Sequence, residues 1–206
     1  AVMNPTDMTE FNLNGTYTIG GQLGYSTEIG STYLNVVYGD QDGALTNNGG
    51  LIPGQASLGK TFQIDLTTGF DLSDVLYLGV NTTYNTTSSG EVFTGSDIQT
   101  TDGDGSGFYG FAGYLQARPT EKFGIGLRGE YFSVFNSGLD GVVSTDANGD
   151  GNVFALTLSG NAKVGKNLTL IPELRLDNMS DDYFVTKDLS PSKSLASFLL
   201  AAVFAF

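Results

Sequence analysis

Apolar and polar residues alternate one by one along most of the chain, which is the pattern of β-strands rather than of helices. From Phe11 to Tyr25, odd-numbered positions are aromatic, aliphatic or Gly, and even-numbered positions are Asn, Thr, Gln or Gly. The last such segment, Leu195 to Phe206, is apolar at both parities. The pattern predicts about nine strands of roughly the ~9–11 residues that cross a bilayer at a tilt. The other seven segments span residues 33–39, 62–70, 76–85, 109–118, 123–131, 154–163 and 168–177.

The connections between these segments alternate between short and long, which favours a barrel over a sandwich. Short connections precede Thr32 and Phe123, for example, whereas the connection from Asp40 to Lys60 is long. Membrane barrels have short turns at one end and longer loops at the other, whereas crossing connections in a sandwich would break this rhythm. We therefore expect an all-β fold, a transmembrane antiparallel up-and-down β-barrel that forms a single domain over residues 1–206.

The number of predicted strands is odd, although bacterial single-chain barrels usually have an even number. One explanation is that Ala1 to Thr9 supplies a poor strand; the other is that the chain is the C-terminal part of a larger barrel. Asn4, Pro5 and Asp7 are typical of a loop, so we expect the second.

Composition excludes several function classes. The 206 residues include no Cys, no His and no Trp, so the usual zinc, haem and thiol chemistry has no ligands or nucleophile, and we expect no cofactor, no metal and no enzyme activity. The formal charge of −13, from 22 acidic and 9 basic residues, argues against nucleic acid as a partner. No apolar run reaches the ~20 residues of a membrane-spanning helix.

Three segments resemble a known family. The hairpin KFGIGLRGEYFSVFNSG (Lys122 to Gly138), the segment KNLTLIPELRLDN (Lys166 to Asn178) and the terminal SFLLAAVFAF are similar to the β-barrel porin family described as OmpL-like. The resemblance implies a bacterial outer-membrane location in contact with outer-membrane lipid, and no catalytic residues. It also implies recognition by the barrel-assembly machinery through the C-terminal aromatics Phe198, Phe204 and Phe206.

Charged residues fall on the polar parity of the predicted strands. In a barrel this parity faces the interior, so these residues are candidates to line a pore. Among them, Arg128, Glu130, Glu173 and Arg175 are expected to set a transverse field across it. The alternative is that they fill a narrow barrel as an ion-pair network. The candidates are Asp65, Arg118, Arg128, Glu130, Lys163, Glu173, Arg175 and Asp177.

The long connections are acidic, and such a rim would concentrate cations, unless it only keeps the loops soluble. Asp146, Asn148 and Asp150 begin a D-x-N-x-D-G sequence like that of a calcium loop, and Asp102 and Asp104 begin a second partial match. The twelfth position, normally a bidentate Glu, is Thr157 in the first match, so a plain Asx turn is the favoured interpretation.

Aromatic residues near the strand ends suggest girdles at two membrane interfaces, unless they only reflect strand propensity. They are Tyr25, Tyr38, Phe70, Tyr84, Tyr109, Phe123 and Tyr131.

Two functions remain. The first is a porin-like pore for passive diffusion of small polar solutes or ions. The second is a structural or docking barrel that binds another outer-membrane protein or a second copy of itself, motivated by small residues such as Ala201 and Val203 on the all-apolar last strand. A hydrolase is disfavoured, because carboxylates such as Glu130 and Glu173 have no activated nucleophile beside them.

Overall fold

The chain forms one continuous antiparallel sheet in which neighbours in sequence are neighbours in space. The computed structural model describes residues 1–3, 17–40, 60–88, 91–93, 98–100, 105–139 and 141–206. The strands are β1 Val2–Met3, β2 Thr18–Thr27, β3 Gly30–Asp40, β4 Lys60–Ser73, β5 Leu76–Thr87, β6 Glu91–Phe93, β7 Ile98–Thr100, β8 Ser106–Thr120, β9 Phe123–Phe135, β10 Gly151–Val164, β11 Leu168–Met179, β12 Phe184–Val185, β13 Pro191–Ser192 and β14 Ser194–Phe204. The main sheet contains ten of them, in the order β1-β2-β3-β4-β5-β8-β9-β10-β11-β14.

Nine of these strands are long, between 10 and 15 residues, which confirms the predicted number. The tenth, Val2–Met3, pairs with Thr18 and Ile19, so the N-terminal segment does supply a short strand. Residues 4–16, where the first predicted strand was expected to begin at Phe11, lie outside the described residues.

The predicted rhythm of connections is also confirmed. Turns of two or three residues join β2 to β3, β4 to β5, β8 to β9 and β10 to β11 at one end of the sheet, which we call the short-turn end. The other connections all lie at the opposite, long-loop end. Two small hairpins that the sequence did not predict, β6–β7 and β12–β13, occur within those longer connections.

On the long strands before β14, the register places most apolar residues on one face, the apolar face, and most polar residues on the other, the polar face; β14 is apolar on both faces. In one row across four strands, Leu115 pairs with Leu127, Leu127 with Leu158, and Leu158 with Leu174. In a row on the polar face, Tyr114 pairs with Arg128, Arg128 with Thr157, and Thr157 with Arg175. A shift of one residue in any pairing would exchange the two faces.

Burial on the two faces is the reverse of that in a water-soluble sheet. On β10, Thr157 of the polar face is 7% exposed, whereas its neighbour Leu158 on the apolar face is 42% exposed. Ala112 and Ala155, which flank Glu130 across the sheet, are 7% and 1% exposed. The shielded side of the sheet is therefore the polar one, and the apolar side chains point outward.

Backbone irregularities occur at the short-turn end. The β8–β9 register shifts between Ala117 and Thr120, on either side of Pro119, which has no N–H to donate to the ladder. A second shift, between Asp71 and Ser73, ends the β4–β5 pairing. No helix among the described residues is long and apolar enough to cross a membrane.

The face assignment predicts opposite responses to the same substitution at neighbouring positions of β10. Leu158→Arg puts a charge on the apolar face and is expected to destabilise the folded state in phospholipid vesicles by about 2–4 kcal/mol if this site lies near the bilayer midplane. Ser159→Arg, one residue further along and on the polar face, pairs with Glu173 and should change stability by less than about 0.5 kcal/mol. Denaturant unfolding of both variants in vesicles measures the difference. Equal losses would contradict the assignment.

Candidate functional site

The centre of the polar face holds a network of four charged side chains from β9 and β11. Arg128 forms an ion pair with Glu130, two residues along β9. Arg175 Nη1 lies 2.6 Å from Glu130 Oε2, and Arg175 Nη2 lies 2.9 Å from Asp177 Oδ1. Two positive and two negative groups thus balance one another within a single cluster, which we call the central network.

The central network follows from the sequence pattern and the register. The spacings R-x-E on β9 and R-x-D on β11 put each pair on the same face of its strand. Between those strands, β10 presents Thr157 opposite both arginines and Ala155 opposite both carboxylates. The short side chain of Ala155 leaves room for Arg175 to reach across β10, and Arg175 Nη1 also donates to Thr157 Oγ1 at 3.1 Å.

Tyr114 on β8 extends the central network by one strand. The guanidinium carbon of Arg128 lies 5.2 Å from the centre of the Tyr114 ring, a distance at which a cation interacts with an aromatic face. The side chains of Glu130 and Asp177 are 19% and 14% exposed, whereas that of Arg128 is 42% exposed. The carboxylates are therefore the shielded partners and Arg128 is the one most open to solvent.

Asp65 lies in a different environment, on the opposite half of the sheet. Its carboxylate accepts a hydrogen bond from Asn35 Nδ2 at 2.8 Å and another from Asn81 Nδ2 at 3.1 Å. Gln22 Nε2 in turn donates to Asn35 Oδ1 at 2.6 Å, so amides from β2, β3 and β5 form a chain with Asp65. Within the described residues no ion pair reaches Asp65. This half of the polar face therefore keeps an uncompensated negative charge.

The remaining three candidates lie apart from both groups. Arg118 and Lys163 are exposed at the short-turn end of β8 and β10, and Glu173 is half-buried on β11 opposite Ser159. None of the three takes part in an ion pair within the described part of the chain. All eight predicted residues are on the polar face, but only Arg128, Glu130, Arg175 and Asp177 are brought together. Glu173, expected to share the field of Arg128, Glu130 and Arg175, does not join them.

The amide, hydroxyl and aromatic-ring partners of the charged groups are the residues that sequence reasoning missed. Asn35, Asn81, Thr157 and Tyr114 were placed on the correct face, but no feature of their own segments identified them as partners of charged groups. Each becomes a partner only through the lateral register. Alternation within single segments does not determine that register.

At the long-loop end, the predicted calcium-like sequence forms an Asx turn. Asp146 Oδ1 accepts hydrogen bonds from the backbone N–H of Asn148 at 2.8 Å and of Asp150 at 3.0 Å. These bonds stabilise the charged form, so the pKa of the Asp146 carboxyl is lowered from its usual value. Gly149 has φ of +79°, and a Cβ there would lie 2.3 Å from Ser137 Oγ, so this turn requires glycine. Asp102 and Asp104, the second partial match, lie outside the described residues.

The apolar face carries the predicted aromatic residues and the predicted assembly signal. Tyr84 pairs with Tyr109 across β5 and β8, and the rings of Tyr109 and Tyr131 are 6.1 Å apart, all at the long-loop end. Tyr25, Phe70 and Phe123 lie at the short-turn end. Phe198 and Phe204 occupy the apolar face of β14, and all three assembly candidates, with Phe206, are exposed.

A double-mutant cycle tests whether the central network is a single unit. Arg175→Gln leaves two carboxylates without their shared partner and should cost about 1–3 kcal/mol, since hydrogen bonds to charged groups are worth more than neutral ones. Glu130→Gln alone should also destabilise, and the pair should show a coupling energy above about 0.5 kcal/mol. Lys163→Gln, which removes a charge of the same sign from the same face outside any ion pair, is the matched control and should be neutral. Additive effects of the two substitutions would show that the contacts carry no energy.

Comparison with known proteins agrees with this architecture. A family model described as "Putative beta-barrel porin-2, OmpL-like" matches residues 1–206. No curated protein sequence matches the chain. A family of porins implies a channel or structural role rather than an enzyme. The antiparallel sheet with its apolar side outward, the alternation of short turns and long loops, and this match over 206 residues show that the chain is a transmembrane up-and-down β-barrel of the OmpL-like β-barrel porin family.

Proposed function

We propose that the protein forms a water-filled pore in the bacterial outer membrane through which small polar solutes and ions diffuse passively. The observation that supports this most strongly is the chemistry of the polar face. It carries charged side chains at the centres of its strands. A barrel whose interior were packed only for stability could use apolar side chains at these positions. Buried ion pairs seldom stabilise a protein more than apolar side chains of the same volume, whereas water in a lumen removes most of the desolvation cost.

The distribution of charge on this face supports passage of ions. The central network is neutral as a unit, and Asp65 and its amides add one negative charge on the other side of the sheet. A neutral network on one part of the face and a negative group on the other make the electrostatic potential across the lumen uneven, and an uneven potential orients polar solutes. Acidic residues in the described long loops, among them Asp146, Asp181 and Asp182, are exposed or half-exposed and would raise the local concentration of cations.

The proposal also covers how the barrel sits in the membrane and how it is assembled there. Lipid covers the apolar face, with the aromatic residues at its two ends anchored at the interfaces. Recognition by the barrel-assembly machinery uses the exposed C-terminal aromatics Phe198, Phe204 and Phe206. Short turns then lie on the periplasmic side and long loops outside the cell.

A second candidate, a structural or docking barrel, is favoured by the exposure of β14 on both faces. Leu199 on the polar face is 60% exposed and Leu200 on the apolar face is 56% exposed. An apolar strand exposed on both sides suits contact with another outer-membrane protein or a second copy of the chain. Cross-linking from Leu200→Cys, on the outward apolar face, distinguishes this case in native membranes, because a docking barrel would give one stoichiometric adduct.

The ion conductance of two single-cysteine variants tests the pore directly. The chain has no Cys, so a single introduced thiol reports one position. Thr82 and Thr83 are adjacent on β5 and lie on the apolar and the polar face respectively. In planar bilayers we expect ion conductance from the purified protein, and a charged, membrane-impermeant thiosulfonate should reduce it for Thr83→Cys. Thr82→Cys, covered by lipid, should be unaffected.

The measurement also separates the two candidates. A folded, correctly inserted barrel that conducts no ions would refute the pore and leave the docking role. Equal modification of both cysteines would contradict the assignment of the polar face to the lumen.

A further inference from the structure

A cavity of about 370 Å³ lies on the polar face at the short-turn end, between β8, β9 and β10. Its floor is glycine: β9 has Gly124 and Gly126 at the two polar-face positions that precede Arg128. A Cβ at Gly124 would lie 3.5 Å from Arg118 Cγ and 3.8 Å from Asn161 Cβ. The cavity therefore exists because this stretch of β9 has no side chains on its polar face.

The walls of the cavity are rich in hydrogen-bond donors. They are formed by Gln116 and Arg118 of β8, Lys122 of the following turn, and Ser159, Asn161 and Lys163 of β10. These side chains supply one guanidinium, two ammonium groups, two amides and a hydroxyl. Glu121 is the single carboxylate among the lining residues. The balance of charge in the cavity is positive, in a chain whose formal charge is −13.

Within the described residues, the cations of the cavity form no ion pairs, unlike those of the central network. Arg128 and Arg175 are engaged with Glu130 and Asp177, whereas no ion pair within the described ranges involves Arg118, Lys122 or Lys163. Gathering like charges around a cavity is unfavourable unless water or an anion compensates them. The observed arrangement thus leaves the cavity's positive charges available to a ligand from solution.

Negative groups nearby set a limit on the strength of this site. Arg118 also borders a second cavity, of about 340 Å³, together with Asp71 and Asp74. These carboxylates weaken the field that Arg118 exerts on an anion, so Lys163 and Asn161, on the far wall, must contribute. A ligand with more than one negative charge and several acceptor oxygens would use all the donors at once.

We propose that this cavity is a binding site for a phosphate group carried by a small solute, either inorganic phosphate or a phosphate monoester. Arg118 and Lys163 supply the charge, and Asn161, Ser159 and Gln116 donate to the remaining oxygens. The volume falls within the ~300–1,000 Å³ of typical ligand pockets, which leaves room for the organic part of a monoester. The site requires only that water reaches the short-turn end, and it does not depend on whether the barrel conducts ions.

Equilibrium binding of inorganic phosphate tests the proposal. The protein, folded in a neutral detergent at low ionic strength in a phosphate-free buffer, is titrated calorimetrically with phosphate. We expect saturable binding, and a loss of at least ~10-fold in affinity for the double variant Arg118→Gln/Lys163→Gln, because two charge-assisted interactions are removed. Lys187→Gln removes one positive charge outside the cavity, in the described loop between β12 and β13, and should bind like the wild type.

A variant that keeps every charge tests the cavity itself. Gly124→Leu fills the floor between Arg118 and Asn161, and should also weaken phosphate binding by at least ~10-fold. Resistance of the folded form to denaturation by detergent without heating, together with the β-sheet circular dichroism signal, verifies that each variant is a folded barrel.

Three results would overturn the proposal: no saturable phosphate binding by the wild type, unchanged affinity in the double variant, or binding only to phosphatidylglycerol in nanodiscs and not to free phosphate. A folded protein that conducts no ions but still binds phosphate would refute the proposed pore and would not contradict the proposed phosphate site.

Discussion

The structure depends on the solvation of two faces of one sheet by two different media. Every strand in a membrane must satisfy its backbone N–H and C=O groups within the protein, because hydrocarbon offers no partners. An antiparallel sheet meets this requirement along its ladders, and it leaves only side chains to contact the surroundings. Leu158 is 42% exposed and the adjacent Thr157 is 7% exposed, so the apolar face is the open one. In the membrane location proposed above, lipid covers the apolar side chains that a water-soluble fold would have to bury.

If lipid covers the apolar face, the candidate charged residues all lie on the opposite, polar face, where most of them form three separate regions. At the centre, the arginines of β9 and β11 are matched to carboxylates on the same two strands, and Ala155 provides the space that joins them. On the other half of the sheet, the Asp65 carboxylate accepts hydrogen bonds from the amides of Asn35 and Asn81. At the short-turn end, Arg118 and Lys163 border a cavity with a glycine floor. The charges of the central network are paired with one another, whereas Arg118 and Lys163 form no ion pair within the described residues.

Much of the fold could be predicted from the sequence, because alternation at period two is a local property. The nine long strands, the faces of Leu158 and Thr157, and the sequence of short and long connections all follow from neighbouring residues. The contacts within the polar face could not be predicted in this way. The approach of Arg175 to Glu130 depends on how β9, β10 and β11 are aligned, and the alignment depends on turn geometry and on irregularities such as the one at Pro119. The short strand Val2–Met3 has too few residues to show a periodicity, so the odd number of predicted strands was the only indication of it.

The orientation of the two faces can be measured most directly with single tryptophans, since the chain has none of its own. Leu115 and Gln116 are adjacent on β8 and lie on opposite faces. In vesicles, fluorescence of Leu115→Trp should be quenched by brominated acyl chains and protected from acrylamide, and that of Gln116→Trp should show the reverse. If acrylamide quenched the tryptophan at 115 while acyl-chain bromine quenched the one at 116, or if both responded alike, the apolar face would not be in contact with lipid.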